Sequence, residues 1–193
     1  SGAYEAGLVE LQDLSPQRAC AALDLAPGLR VLDYCAGGGG KALALAARQP
    51  GLRIAAHDAI PARMADLPAR AARAGAAIRI DTRPQGPFDL VVADVPCSGS
   101  GTWRRTPDAK WRLDQAALDR VVALQAQILD RAAGLVGQGG RLAYMTCSLL
   151  EAENGGQIDA FLARSPDFRA GQRHLWTPLS GGDGFFLAEL HRG

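Results

Sequence analysis

Phe88-Asp89-Leu90-Val91-Val92-Ala93 runs straight into Asp94-Val95-Pro96-Cys97-Ser98-Gly99-Ser100-Gly101. The first stretch is almost continuously apolar, the pattern of a strand buried on both faces of a parallel sheet. An acid, a proline and a thiol therefore fall where that strand ends and a glycine-rich loop begins. In open α/β sheets the carboxyl ends of the strands are where ligands bind. A second thiol closes a second apolar run, Arg141-Leu142-Ala143-Tyr144-Met145-Thr146-Cys147-Ser148. Two cysteines at two strand ends, with a strand–glycine–helix unit upstream, point to thiol chemistry beside a nucleotide-like cofactor.

Upstream of these strands, residues 29–34 read as a strand, Cys35-Ala36-Gly37-Gly38-Gly39-Gly40 as a turn and residues 41–48 as a helix rich in alanine and leucine. Such a unit lets a ligand approach the backbone closely and meet the positive end of a helix. A glycine loop alone is a weak signal, and this one is not the clean dinucleotide pattern. Residues 52–58 read as a second strand with Asp58 at its tip. An acid there commonly accepts bonds from ribose hydroxyls, and it can equally cap the helix expected over 61–74. Residues 76–80 form a short third strand ending at Asp81. Before all of these, residues 1–14 are a leader, and Ser15-Pro16 is expected to cap a helix running to about Leu25.

Downstream, residues 114–136 carry a wide apolar stripe at helical spacing. Gly137-Gln138-Gly139-Gly140 is expected to end that helix and feed a fifth strand over 141–147. A helix from 149 to about 164, a turn over 177–183 and a last strand over 184–190 complete the chain. The alternation over 29–147 predicts an α/β fold with a mostly parallel central sheet, helices on both faces and antiparallel addition at one edge.

A chain of 193 residues suffices for one well-buried domain and is short for two. A hydrophobic content of 48% with 21% charged residues is that of an ordinary globule. The net charge of +1 provides no global field toward nucleic acid or membrane, so any such signal must be local. No apolar run approaches the roughly 20 residues that span a bilayer, and no charged-then-apolar leader predicts secretion. Cys20, Cys35, Cys97 and Cys147 match neither a zinc spacing nor a C-x-x-C pair. No metal is expected, and scattered thiols favour a reducing compartment, the cytoplasm. Cys20, inside the first helix, reads as a small buried hydrophobe. The one local basic cluster spans 99–112, where Trp103 and Trp111 interleave with Arg104, Arg105, Lys110 and Arg112. That mixture offers phosphate contacts and stacking for unpaired bases, or a solvated loop over two core tryptophans.

The motifs together resemble RNA (cytosine-5) methyltransferases of the RsmB/Sun type. The family's D-x-C-A-x-P-G-G-K stands here as Asp33 to Lys41, with Gly38 replacing the proline and Ala42 replacing the usual Thr or Ser. Its D-x-P-C-S-G-x-G is complete from Asp94 to Gly101. Its T-C-S followed by E-x-E-N is Thr146-Cys147-Ser148 and Glu151-Ala152-Glu153-Asn154, and its D-G-F-F is Asp183-Gly184-Phe185-Phe186. Leu11-Gln12-Asp13-Leu14-Ser15 resembles the family stretch that precedes the catalytic core. The resemblance implies a Rossmann-like class I methyltransferase fold, with residues 1–28 as a leader and helix and 29–193 as the catalytic domain.

It further implies S-adenosyl-L-methionine as methyl donor and RNA, by preference ribosomal, as substrate. Cys147 is implied as the nucleophile toward C6 of cytosine, Cys97 as the thiol that assists release, and Asp94 as the group that bonds the base edge and touches the donor. Cys35, Ala36, Gly37, Gly38, Gly39, Gly40 and Lys41 are implied to hold the donor's amino-acid end, Asp58 its ribose and Asp81 its adenine amine. Lys41 has two readings, a contact to the donor's carboxylate or a tether for the Asp94 stretch. The glycine at 38 leaves the loop less preset, and the alternative reading rests on it: a non-catalytic RNA-binding relative with a weakened donor site. An oxidoreductase would leave both thiol motifs unexplained.

Overall fold

A computed structural model describes residues 1–193. Seven strands form one sheet in the order β3-β2-β1-β4-β5-β7-β6. They are β1 (Arg30–Asp33), β2 (Arg53–Ala56), β3 (Ile78–Ile80), β4 (Phe88–Asp94), β5 (Val136–Thr146), β6 (Phe168–Trp176) and β7 (Phe185–Arg192). β1 to β5 pair in parallel; β7 pairs antiparallel with both β5 and β6. The chain reverses its direction of travel across the sheet between β1 and β4, which is the switch point where α/β sheets open a crevice. A short helix, α1 (Gly2–Glu5), opens the chain, and no helix is long and apolar enough to cross a membrane.

Alternate residues of the central strands enter two cores. Val91, Ala93, Leu142, Tyr144 and Leu190 pack with Leu129 and Ala132 of α6 (Gln115–Ala133) and with Ile158 and Phe161 of α7 (Gly155–Arg164). Leu90, Val92, Ala143, Met145 and Leu187 pack with Ala19 and Cys20 of α2 (Leu14–Ala22) and with Ala42 and Leu45 of α3 (Gly40–Arg48). Both faces are covered, so these strands read as unbroken apolar sequence rather than as an alternation.

Several boundaries differ from the sequence expectation. The cap of α2 is Asp13, whose side chain accepts from the Ser15 amide at 2.9 Å, and Pro16 lies inside the first turn. Asp13 Oδ1 also accepts from Asp183 N at 3.1 Å, a tertiary bond that fixes the choice. The helix expected over 61–74 is a 3-10 turn, Pro61–Met64, followed by α4 (Leu67–Arg73) with Pro68 near its start. Gly137 to Gly140 do not precede β5 but lie within it. Phe88 pairs with Val136 and Leu90 with Arg141, so this stretch bulges out between two paired positions. Residues 149–154 form a 3-10 turn, Glu151–Glu153, rather than the first turn of α7. β6 was not anticipated. Its burial pattern follows no clean alternation, and its register with β7 shifts between Ala170 and Arg173.

Candidate active site

The parallel strands deliver their last residues to one edge. Asp81 follows β3, Asp58 follows β2, Asp33 ends β1, Asp94 ends β4 and Cys147 follows β5, in the spatial order of the sheet. Cys97 joins them three residues after β4. The Cys97 and Cys147 sulfurs lie 3.2 Å apart, although 50 residues separate them in the chain. Gly101 closes the arrangement: its amide donates to the Cys147 carbonyl at 3.0 Å, and its carbonyl accepts from Gly184 N at 2.8 Å. A Cβ at Gly101 would sit 2.3 Å from the Gly184 carbonyl oxygen, so only glycine permits this crossing.

The two thiols differ in acidity. The hydrogen bond with Cys147 pushes Cys97 up, as does burial, and the nearby Glu153 charge adds to both. Cys147 moves down: the bond from Cys97 favours its thiolate and Lys41 assists, against burial and the Asp94 charge. Cys147 is therefore the more acidic of the two, and Cys97 is the thiol that holds its proton more tightly. Cys35 and Cys20 are pushed up by burial to about 12 and are inert thiols at neutral pH.

Lys41 forms an ion pair with Asp94, and its ammonium lies 5.6 Å from the centre of the Phe185 ring. Burial alone would lower Lys41; the charge and hydrogen bond of Asp94 more than offset it. Of the two sequence readings of Lys41, the tether is the contact present.

The glycine loop is held from several sides. Gly39 enters α3 at φ 79°, a conformation open to glycine, and a Cβ there would meet Leu67 at 2.2 Å. Asp58 is 3% exposed; it accepts from the amides of Gly37 at 3.0 Å and Ile60 at 2.9 Å, and Arg63 lies 3.6 Å away. The capping role foreseen for Asp58 is thus a turn bond to Ile60. Asp81 pairs with Arg79 at 2.9 Å and accepts from Arg83 N. Ala36 donates to the His57 carbonyl at 2.8 Å, Gly38 offers its carbonyl to Arg70, and the amides of Gly40 and Lys41 donate to nothing within the chain.

Asp33 opens the glycine motif, and nothing in its sequence spacing marks it as a contact. It is fully buried, with one oxygen on the Ala42 amide at 3.1 Å and the other, Oδ1, unpartnered. Burial pushes this carboxyl up to about 7. A buried oxygen of this kind is open to a water or a ligand atom as partner. Glu153, Gln125 and Tyr144 were likewise passed over, and only the acidic motif pointed to the first of them.

A parallel sheet of this order, with acids and thiols lined along its carboxyl edge, defines the class: a Rossmann-like methyltransferase fold. The structure entitled "Crystal Structure of PH0851" matches all of this chain and 49% of its own at a TM-score of 0.92 and 30% identity. NSun6 from Pyrococcus horikoshii, solved with SFG, matches all of this chain and 55% of its own at 0.89 and 19% identity. The chain belongs to the 16S rRNA methyltransferase RsmB/F family, whose model matches residues 20–191. Ribosomal RNA small subunit methyltransferase B of Xanthomonas campestris pv. campestris is 40% identical over 178 residues, covering 86% of this chain and 41% of that protein. The protein of the same name from Xylella fastidiosa is 36% identical over 208 residues, covering 97% of this chain and 48% of that protein. The chain thus spans less than half the length of these two relatives.

Proposed function

We propose that this chain methylates C5 of a cytosine in RNA, ribosomal RNA by preference, through a covalent bond between Cys147 and C6. The observation that carries this reading is the contact between Cys147 and Cys97, with Cys147 the more acidic of the two. C5 of cytosine is a poor nucleophile. Addition of the Cys147 thiolate to C6 turns C5 into an enamine-like carbon. The Asp94 carboxylate, fixed by Lys41, accepts from the exocyclic amine and the protonated N3 of the adduct. S-adenosyl-L-methionine, when bound, supplies the electrophilic methyl group that C5 takes up.

Release requires loss of the C5 proton, re-formation of the C5–C6 double bond and departure of Cys147 as thiolate. Cys97 is suited to assist. Its thiol is held protonated chiefly by donating to the Cys147 thiolate. Once the Cys147 sulfur is bonded to carbon, that cause is gone and Cys97 ionises more readily, in time to act as a base.

The loop's chemistry fits the amino-acid end of the donor. The free amides of Gly40 and Lys41 at the start of α3 suit a carboxylate, and the orphaned Asp33 oxygen suits an ammonium. Residues 35–41 and Asp94 line this end, with Asp58 and Asp81 along the edge toward ribose and adenine. We take residues 29–193 as the methyl-transferring domain and 1–28 as its lead-in. The target base must leave its stack to reach two half-buried sulfurs, which favours unpaired RNA. The exposed segment that follows Cys97, with Trp111 81% exposed, is the surface we assign to that RNA.

Cys147→Ala should abolish transfer of a tritiated methyl group from the donor to RNA. Cys97→Ala should instead accumulate a protein–RNA adduct that survives a denaturing gel. Undiminished transfer by Cys147→Ala would refute the nucleophile, and bisulfite mapping of RNA with and without the protein identifies the base.

A further inference from the structure

One buried carboxylate grips both cysteine loops. Glu153 is 0% exposed, in the turn after β5. Its Oε1 accepts from the Ser98 amide at 2.7 Å and from Gln125 Nε2 at 2.9 Å. Its Oε2 accepts from the Ser98 hydroxyl at 2.5 Å and from the Ser148 hydroxyl. Ser98 is the residue after Cys97, and Ser148 is the residue after Cys147. Four donors fill the four acceptor sites that an ionised carboxylate offers. The turn carrying Glu153 is itself fixed: Tyr144 OH donates to the Glu153 carbonyl at 2.7 Å, and Asn154 accepts from Thr146 Oγ1 at 2.6 Å and donates to the Ser148 carbonyl at 2.9 Å.

We propose that Glu153 is the positioning residue of the thiol pair, its bonds to Ser98 and Ser148 holding Cys97 and Cys147 in contact. The inference rests on the roles given above to the two cysteines. The Glu153 charge adds to the causes that raise Cys97, behind the bond to Cys147 and burial. The charged and titratable groups around the pair are thus Glu153 from the turn, Asp94 from β4, Lys41 from α3 and the Tyr144 hydroxyl from β5. Of these charged groups Glu153 alone is hydrogen-bonded to the residue after each cysteine, and the neutral Ser100 adds bonds to both. A buried carboxylate costs desolvation, so a fully bonded one at this point has a purpose that an apolar side chain could not serve.

Glu153→Gln preserves shape and removes the charge. The pH dependence of alkylation at each cysteine, read by mass spectrometry of the two peptides, should show the preference for Cys147 over Cys97 shrinking by about tenfold, which is one pKa unit. The turnover number should fall at least tenfold with the KM for RNA within twofold. Glu153→Asp, which restores charge at shorter reach, should recover the alkylation preference more than the turnover. Should Glu153→Gln not fold, Ser148→Ala frees the Cys147 loop with the charge left in place. It should lower turnover about fivefold and shrink the alkylation preference less than Glu153→Gln does. An alkylation preference and turnover within twofold of the parent in Glu153→Gln, or an unchanged turnover in Ser148→Ala, would overturn the proposal. Alkylation is measured without RNA or donor. A shifted preference in a chain that transfers no methyl group would therefore support the positioning role and sink the methylation reading.

Discussion

At the scale of single residues, the loop after β1 holds Gly38 where the motif it resembles has proline. The amide of Gly38 makes no bond within the chain, and its φ is not in the left-handed region. A Cβ there would meet the flexible end of Arg70 at 3.0 Å. Gly38→Pro should therefore stabilise the chain by about 0.4–1 kcal/mol through the unfolded state, a rise in Tm of ~1–4 °C, and tighten donor binding. Calorimetry checks both; a lower Tm would show that Gly37 cannot precede a proline. Asp33, five residues earlier, has a carboxyl raised from 3.8 to about 7. The folded chain keeps a proton that the unfolded chain releases, so this contribution to stability is complete below about pH 4 and is lost as pH rises toward 7. Asp33→Asn should flatten that part of the pH profile, measured by urea unfolding, and weaken donor binding. Parallel profiles for the two proteins would contradict it.

At the scale of elements, the segment between β4 and α6 is tied at its root and exposed at its tip. Arg104 and Arg105 pair with Asp183, which is 2% exposed, at 3.2 and 2.5 Å. The same Asp183 precedes Gly184, which is bonded to Gly101. Past this root, α5 (Ala109–Arg112) carries Trp111, with Lys110 Nζ 4.6 Å from its ring centre. Stacking of a base on an aromatic contributes about 1–3 kcal/mol. Trp111→Ala should thus weaken binding of single-stranded RNA roughly tenfold, by fluorescence anisotropy, and leave its salt dependence unchanged. Equal affinity of the two proteins would remove Trp111 from the RNA surface. Asp183→Asn should release the root and lower Tm, because two arginines lose their buried anchor.

At the scale of the whole molecule, a net charge of +1 requires the RNA proposed above to be held by a patch rather than by a field. With four cations on the segment, the slope of log affinity against log salt should be no steeper than about −3, at ~0.7 per single-strand phosphate. A slope near −6 would place much of the contact elsewhere. The sheet's stability rests on its middle. Leu187 is fully buried in β7 between β5 and β6, and Leu187→Ala should cost about 2–5 kcal/mol in a urea titration. The amino-acid order by itself marked the strands near 29–34, 88–93 and 141–147, because strands covered on both faces are rich in apolar residues, and it marked both thiols by their motifs. It left β6 unread, since its polar, bulged sequence FRAGQRHLW has no period to detect. The cap at Asp13 and the glycine bulge in β5 were also decided by partners far along the chain. Only the tertiary structure brought the sulfurs to 3.2 Å and enclosed Glu153 between their loops. Sequence spacing fixes which residues end a strand, but the order in which parallel strands pair fixes which of those ends meet.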